Sequence, residues 1–77
     1  MSYQVDKVQQ ANPQWSYGFV CGYVQGKAEA LAKAEPDRSV FNASDDYSYG
    51  YRSAFASYWQ GSKLDYHILC HRLYQES

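Results

Sequence analysis

Three glycines at a spacing of four, Gly18, Gly22 and Gly26, sit in the most apolar stretch of the chain, YGFVCGYVQGKA over residues 17–28. Each costs a helix about 1 kcal/mol relative to alanine. Because the penalty recurs on one helical face, that face reads as a contact surface where another backbone comes close. The expected neighbour is a second helix of the same chain, with its aromatic rings seated against the glycine backbone. Self-association through this face, giving a homodimer, is the competing reading.

Punctuation along the chain divides it into three helices. Residues 1–11 alternate weakly at Tyr3 and Val5 and then turn polar, which predicts a loose N-terminal arm. Asn12 and Pro13 make a start signal, a capping side chain followed by a residue that needs no amide donor in a first turn. Helix one is expected over 13–34, with Lys33 favoured by the negative end of its dipole and Glu35 stopped by Pro36. Its segment 17–24 is apolar nearly all round, so it must be covered on two sides.

The linker PDRSVFNAS carries turn formers, with Val40 and Phe41 as anchors back onto the core. Helix two is expected over 44–60, capped by Ser44 or Asn42, with Asp45 and Asp46 in its first turn. Tyr47, Tyr51, Ala54, Phe55 and Tyr58 recur at helical spacing and define one buried stripe. Gly61 is a stop, and Ser62 with Asp65 resembles a capping box that opens helix three over 62–75. Tyr66, Leu69, Cys70 and Leu73 form its core stripe, with Leu64 and Ile68 on a neighbouring edge. Strands have almost no claim. The expectation is one all-α domain over 1–77, a small three-helix bundle.

Composition narrows the partners. Seven basic and eight acidic residues leave a net charge of −1, too small a field to draw the chain onto phosphates, so nucleic acid is disfavoured as the main partner. No apolar run approaches the ~18 residues that span a bilayer, and the N-terminus lacks a basic region followed by an apolar one, so a soluble, cytoplasmic protein is expected. Nine tyrosines stand out, since tyrosine suits a core that runs out into a binding surface.

The two segments YGFVCGYVQG and YSYGYRSAF each place aromatic residues beside glycine at helical spacing. Gly18, Phe19 and Gly22 in the first, and Tyr47, Gly50, Tyr51, Arg52 and Ala54 in the second, resemble the paired glycine and aromatic pattern of the ribosome modulation factor family and of small phage and prophage proteins that share it. The resemblance covers residues 17–60. It implies a helix pair closed through small residues and rings, and a role on the ribosome; the near-neutral charge departs from the strongly basic character of that factor.

Chemistry-bearing residues are few. His67, Cys70 and His71 project to nearly one side of helix three and, with Cys21, would supply the two sulfurs and two imidazoles that suit tetrahedral zinc. The plainer reading makes both cysteines small apolar core groups, with no metal and no cofactor. Paired catalytic carboxylates, a nucleophile motif and a phosphate loop are missing, so the chain reads as a non-enzyme. Tyr49, Arg52 and Trp59 are residue types that dominate interface hot spots, and they are the expected partner-binding set. The function expected is a small, phage-derived helical protein that sterically inhibits a host complex, such as a defence complex or polymerase, by binding a protein surface.

Overall fold

The computed structural model describes residues 2–75, with side chains described over 4–72. Every regular element among them is a helix: α1 (Ser2–Ala11), α2 (Tyr17–Leu31), α3 (Arg38–Asn42), α4 (Asp46–Tyr58) and α5 (Lys63–Gln75). The all-α expectation holds, but the described residues form five helices rather than three.

The N-terminal segment is the first difference. Residues 2–11 form a helix instead of a loose arm, and its Val5 is buried with 7% exposure. Val5 and Val8 stand one helical turn apart, so the segment has an apolar edge to lay on α2, and packing supplies what its polar composition does not. Asn12 therefore ends α1 rather than starting α2. Its backbone N–H donates to Val8 O at 3.0 Å and its side-chain amide donates to the same carbonyl at 3.1 Å. The cap of α2 is Ser16, whose Oγ accepts from Phe19 N–H at 3.2 Å. Pro13 lies in the intervening turn.

At its other end α2 stops at Leu31, short of the expected residue 34, because Lys33 adopts a left-handed φ of 58°. Lys33 N–H then donates to Ala30 O at 3.1 Å and Ala34 N–H to Glu29 O at 2.9 Å, the paired closure that satisfies the last carbonyls of a helix. A side chain in this region is disfavoured relative to glycine. Lys33→Gly is thus expected to stabilise the protein by about 0.5–1 kcal/mol, read as a higher denaturant midpoint with an unchanged slope.

The centre of the fold is the pairing of α2 with α4. Ser16 Oγ donates to Asp46 Oδ2 at 2.8 Å, Gly22 meets Tyr47, and Gly26 meets Tyr51, so the two helices run parallel with their N-termini side by side. Asp46 places its carboxylate where both positive helix ends meet, which offsets their mutual repulsion. A parallel pair needs a crossover, and residues 32–45 provide it, with Asp37 capping α3 through Ser39 N–H at 3.0 Å and Val40 N–H at 3.3 Å. Phe41 of α3 is 2% exposed and Val40 packs beside it, as the anchors in the linker predict.

Asp45, not Ser44 or Asn42, caps α4 by accepting from Ser48 N–H at 2.9 Å. These cap bonds hold the carboxyls of Asp37, through Ser39 and Val40, and of Asp45, through Ser48, below the usual range. Tyr51, Ala54 and Phe55 form the buried stripe of α4, joined in the core by Ala30, Phe41 and Leu69. Tyr47 leaves the stripe and is 36% exposed, its ring stacked on Tyr51 at 6.5 Å. Its backbone carbonyl stands over Gly22, where an aromatic ring of the facing helix was expected. α5 opens as expected, with Ser62 Oγ accepting from Asp65 N–H at 3.0 Å, and packs Leu69, Tyr66 and Cys70 onto the core. Leu64 and Ile68 are exposed, and the Leu73 side chain lies outside the described residues.

Candidate functional site

The glycine face is a seam between two backbones. A Cβ added to Gly22 would stand 2.8 Å from the carbonyl carbon of Tyr47 and closer still to its oxygen; one added to Gly26 would stand 2.5 Å from Tyr51 O. Gly50 answers from α4, where an added Cβ would meet the Phe19 carbonyl and lie 3.0 Å from Tyr23 N. Gly18 is looser, with Asp46 Cβ at 3.4 Å. What approaches the glycines is the main chain of α4 rather than its rings, because residues lacking Cβ on both helices let the axes come closer than side chains permit. Since α4 of the same chain fills this face, it is not available to a second copy. Gly50 is the member of the seam that face counting on α2 alone misses; its spacing in YSYGYRSAF carried the signal.

The residues behind the family resemblance occupy this seam or adjoin it. Gly18, Gly22 and Gly50 face the opposing helix, while Tyr51 and Ala54 are buried on α4. Arg52 does something else. Its Nη1 donates to the carbonyls of Phe41 and, at 2.9 Å, Ala43, tying α4 to the end of α3.

Of the three predicted partner-binding residues, two come together. Tyr49 is 48% exposed on the outside of α4, and the Arg52 guanidinium carbon lies 4.9 Å from its ring centroid. Such a pairing of cation and ring, with the guanidinium already held by two carbonyls, presents the tyrosine in one orientation. Trp59 does not join them. It is half-buried as the C-cap of α4, its ring 5.9 Å from Phe55 and 5.7 Å from Tyr66, and its Nε1–H donates to Ser62 O at 3.3 Å. Its indole thus braces the turn into α5, where Gly61 leaves room: a Cβ there would lie 2.6 Å from Trp59 Nε1.

A second aromatic array lines the other flank of α2. Trp15, Phe19 and Tyr23 recur every four residues, with Trp15 centred 4.8 Å from Phe19 and 5.0 Å from Tyr23, and Tyr23 meets Tyr58 edge-on at 6.1 Å. Tyr23 Oη–H donates to Tyr58 Oη at 3.4 Å; that bond and partial burial push the Tyr23 phenol up to about 12. This array borders a groove of about 620 Å³ between α1 and α2. The four-residue spacing of 15, 19 and 23 marks the row, but an N-terminal segment expected as a loose arm left it no opposite wall.

The zinc donors do not assemble. Among the described residues no group of three or more His, Cys, Asp or Glu side chains comes together. Cys70 packs on the core from α5 and Cys21 lies on α2 beside Tyr17, whose phenol it raises by hydrogen bonding; both are free thiols. His67 and His71 are exposed. No described helix is long and apolar enough to cross a membrane.

The fold and surface together define an all-helical, aromatic-rich domain built on a parallel, glycine-mediated helix pair. Compared with known proteins, the chain matches no family model, no curated protein and no solved structure.

Proposed function

We propose that the protein is a non-enzymatic binding module that acts by covering a functional surface of a larger macromolecular complex, docking through the face of α4 that carries Tyr49 and Arg52. The observation that carries this reading is the exposed Tyr49 ring held against a guanidinium that is already bonded to two backbone carbonyls. An anchor ordered before binding loses little side-chain entropy on docking, and tyrosine and arginine are the types that concentrate binding energy. Near-neutral charge favours a protein surface over a nucleic acid as partner. A phage origin and a host complex as target belong to this proposal through the glycine and aromatic pattern.

Tyr49→Ala tests it. Affinity capture from the native host's lysate, read by mass spectrometry, is expected to lose a protein complex that the parent chain retains, while the melting temperature stays the same because the Tyr49 ring packs outside the core. Arg52→Ala is expected to lower both, since it also releases α3. An identical captured set for the parent and Tyr49→Ala sinks the assignment.

A further inference from the structure

The groove between α1 and α2 has a chemical character different from the Tyr49 surface. One wall is aromatic, formed by Trp15, Tyr23 and Tyr58, and apolar positions such as Val8 and Leu31 also line it. Its volume, about 620 Å³, falls in the range of sites that enclose small organic molecules. Two of the seven basic residues, Lys7 and Lys27, border it, and among the described residues no acidic side chain does. In a chain of net charge −1 that asymmetry gives the groove a local positive field.

The polar groups are arranged to donate. Lys27 Nζ lies 4.9 Å from the Tyr58 ring centroid, a position that holds the ammonium at the groove while leaving N–H bonds to give. Tyr58 Oη accepts the Tyr23 proton, so its own proton is free to point outward. The Tyr23 phenol, pushed up to about 12 by that bond and by burial, keeps the proton it donates at neutral pH.

We propose that this groove is a binding site for a small organic anion with a flat apolar body, of the aromatic carboxylate class. Its ring lies against Trp15 and Tyr23, and its carboxylate accepts from Lys27 Nζ and Tyr58 Oη. The site is independent of the docking reading above, because it uses the opposite flank of the α2–α4 pair and does not involve Tyr49 or Arg52.

The probe is 2-naphthoate, with 2-naphthylmethanol as its uncharged counterpart, titrated into the isotope-labelled full chain and followed by amide chemical shifts. Saturable shifts confined to the backbone around Val8, Trp15, Tyr23, Lys27 and Tyr58 are expected, with the alcohol binding about tenfold more weakly. Lys27→Gln is expected to weaken the naphthoate by a similar factor and leave the alcohol unchanged. If that variant fails to fold, the comparison of acid with alcohol on the parent chain still decides. No saturable shift at millimolar naphthoate, shifts centred elsewhere, or equal binding of acid and alcohol overturns the proposal.

Discussion

Gly22→Ala is expected to abolish cooperative folding, although the same change in an ordinary helix adds about 1 kcal/mol of stability. The sign reverses because of what the methyl group meets. It would stand 2.8 Å from the Tyr47 carbonyl carbon and closer to its oxygen, and these are backbone atoms of a packed helix that no rotamer change can move aside. Relief requires prying α4 off α2, which breaks the seam along its length. Overpacking typically costs about 1–3 kcal/mol where side chains can yield. Here they cannot, and a domain of this size holds only about 4–12 kcal/mol in total.

A graded series makes the argument specific. Gly50→Ala meets the Phe19 carbonyl from the other helix and is expected to match Gly22→Ala. Gly26→Ala, at 2.5 Å from Tyr51 O, should fall between. Gly18→Ala, with 3.4 Å to Asp46 Cβ, has room and should be neutral or stabilising. Denaturant midpoints and hydrodynamic size check the order. A Gly22→Ala chain as stable as the parent, or a Gly22→Leu chain that remains folded as a monomer, would refute backbone contact at the seam.

Tyr51→Phe is expected to destabilise the protein by about 1–3 kcal/mol while leaving its ring in place. The ring is 1% exposed, and its hydroxyl accepts from Asp37 N–H at 2.8 Å and donates to the Glu29 carboxylate. One oxygen thus joins α2, α4 and the start of α3. Removing it leaves the Asp37 N–H without its acceptor and takes one donor from Glu29, which keeps Gln25 at 2.6 Å, and a change of this size lowers the melting temperature of a domain this small by roughly 5–20 °C. Tyr51→Ala is expected to cost more, because it adds a cavity of nearly a full ring.

The same hydroxyl sets a pH dependence. Burial and the neighbouring Glu29 raise the Tyr51 phenol well above its ordinary value, so the folded state holds the proton more tightly than the unfolded chain does. That contribution is fully present below about pH 10 and declines as pH rises past it. Tyr23, pushed up to about 12, acts in the same direction. The stability gap between the parent and Tyr51→Phe should therefore narrow in alkali, where only the parent must ionise Tyr51. A constant gap across that range would mean the hydroxyl is not buried in its bonds.

Much of the local order was legible before any coordinates. The rows 47/51/54/55/58 and 66/69/70 predict helices and most of their buried stripe, Val40 and Phe41 predict a linker pinned to the core, and Ser62 with Asp65 predicts the start of α5. These signals work because each depends on neighbours within a turn or two, where helical geometry places side chains without reference to the rest of the molecule. The glycines likewise announced a close approach. What came close was not written in them.

Three-dimensional arrangement settled the rest. That α2 and α4 lie parallel depends on the path of the crossover through α3, and a periodic pattern is the same read in either direction. Residues 2–11 are too polar to hold a helix alone and become one by burying Val5, a gain that exists only beside another helix. Arg52 and Trp59 are both residue types that dock partners, yet Trp59 braces the turn into α5, while Arg52 gives Nη1 to the carbonyls of Phe41 and Ala43 and thereby orients Tyr49. Residue type sets what a side chain is able to contact, whereas its partners are chosen by distances between segments far apart in the chain.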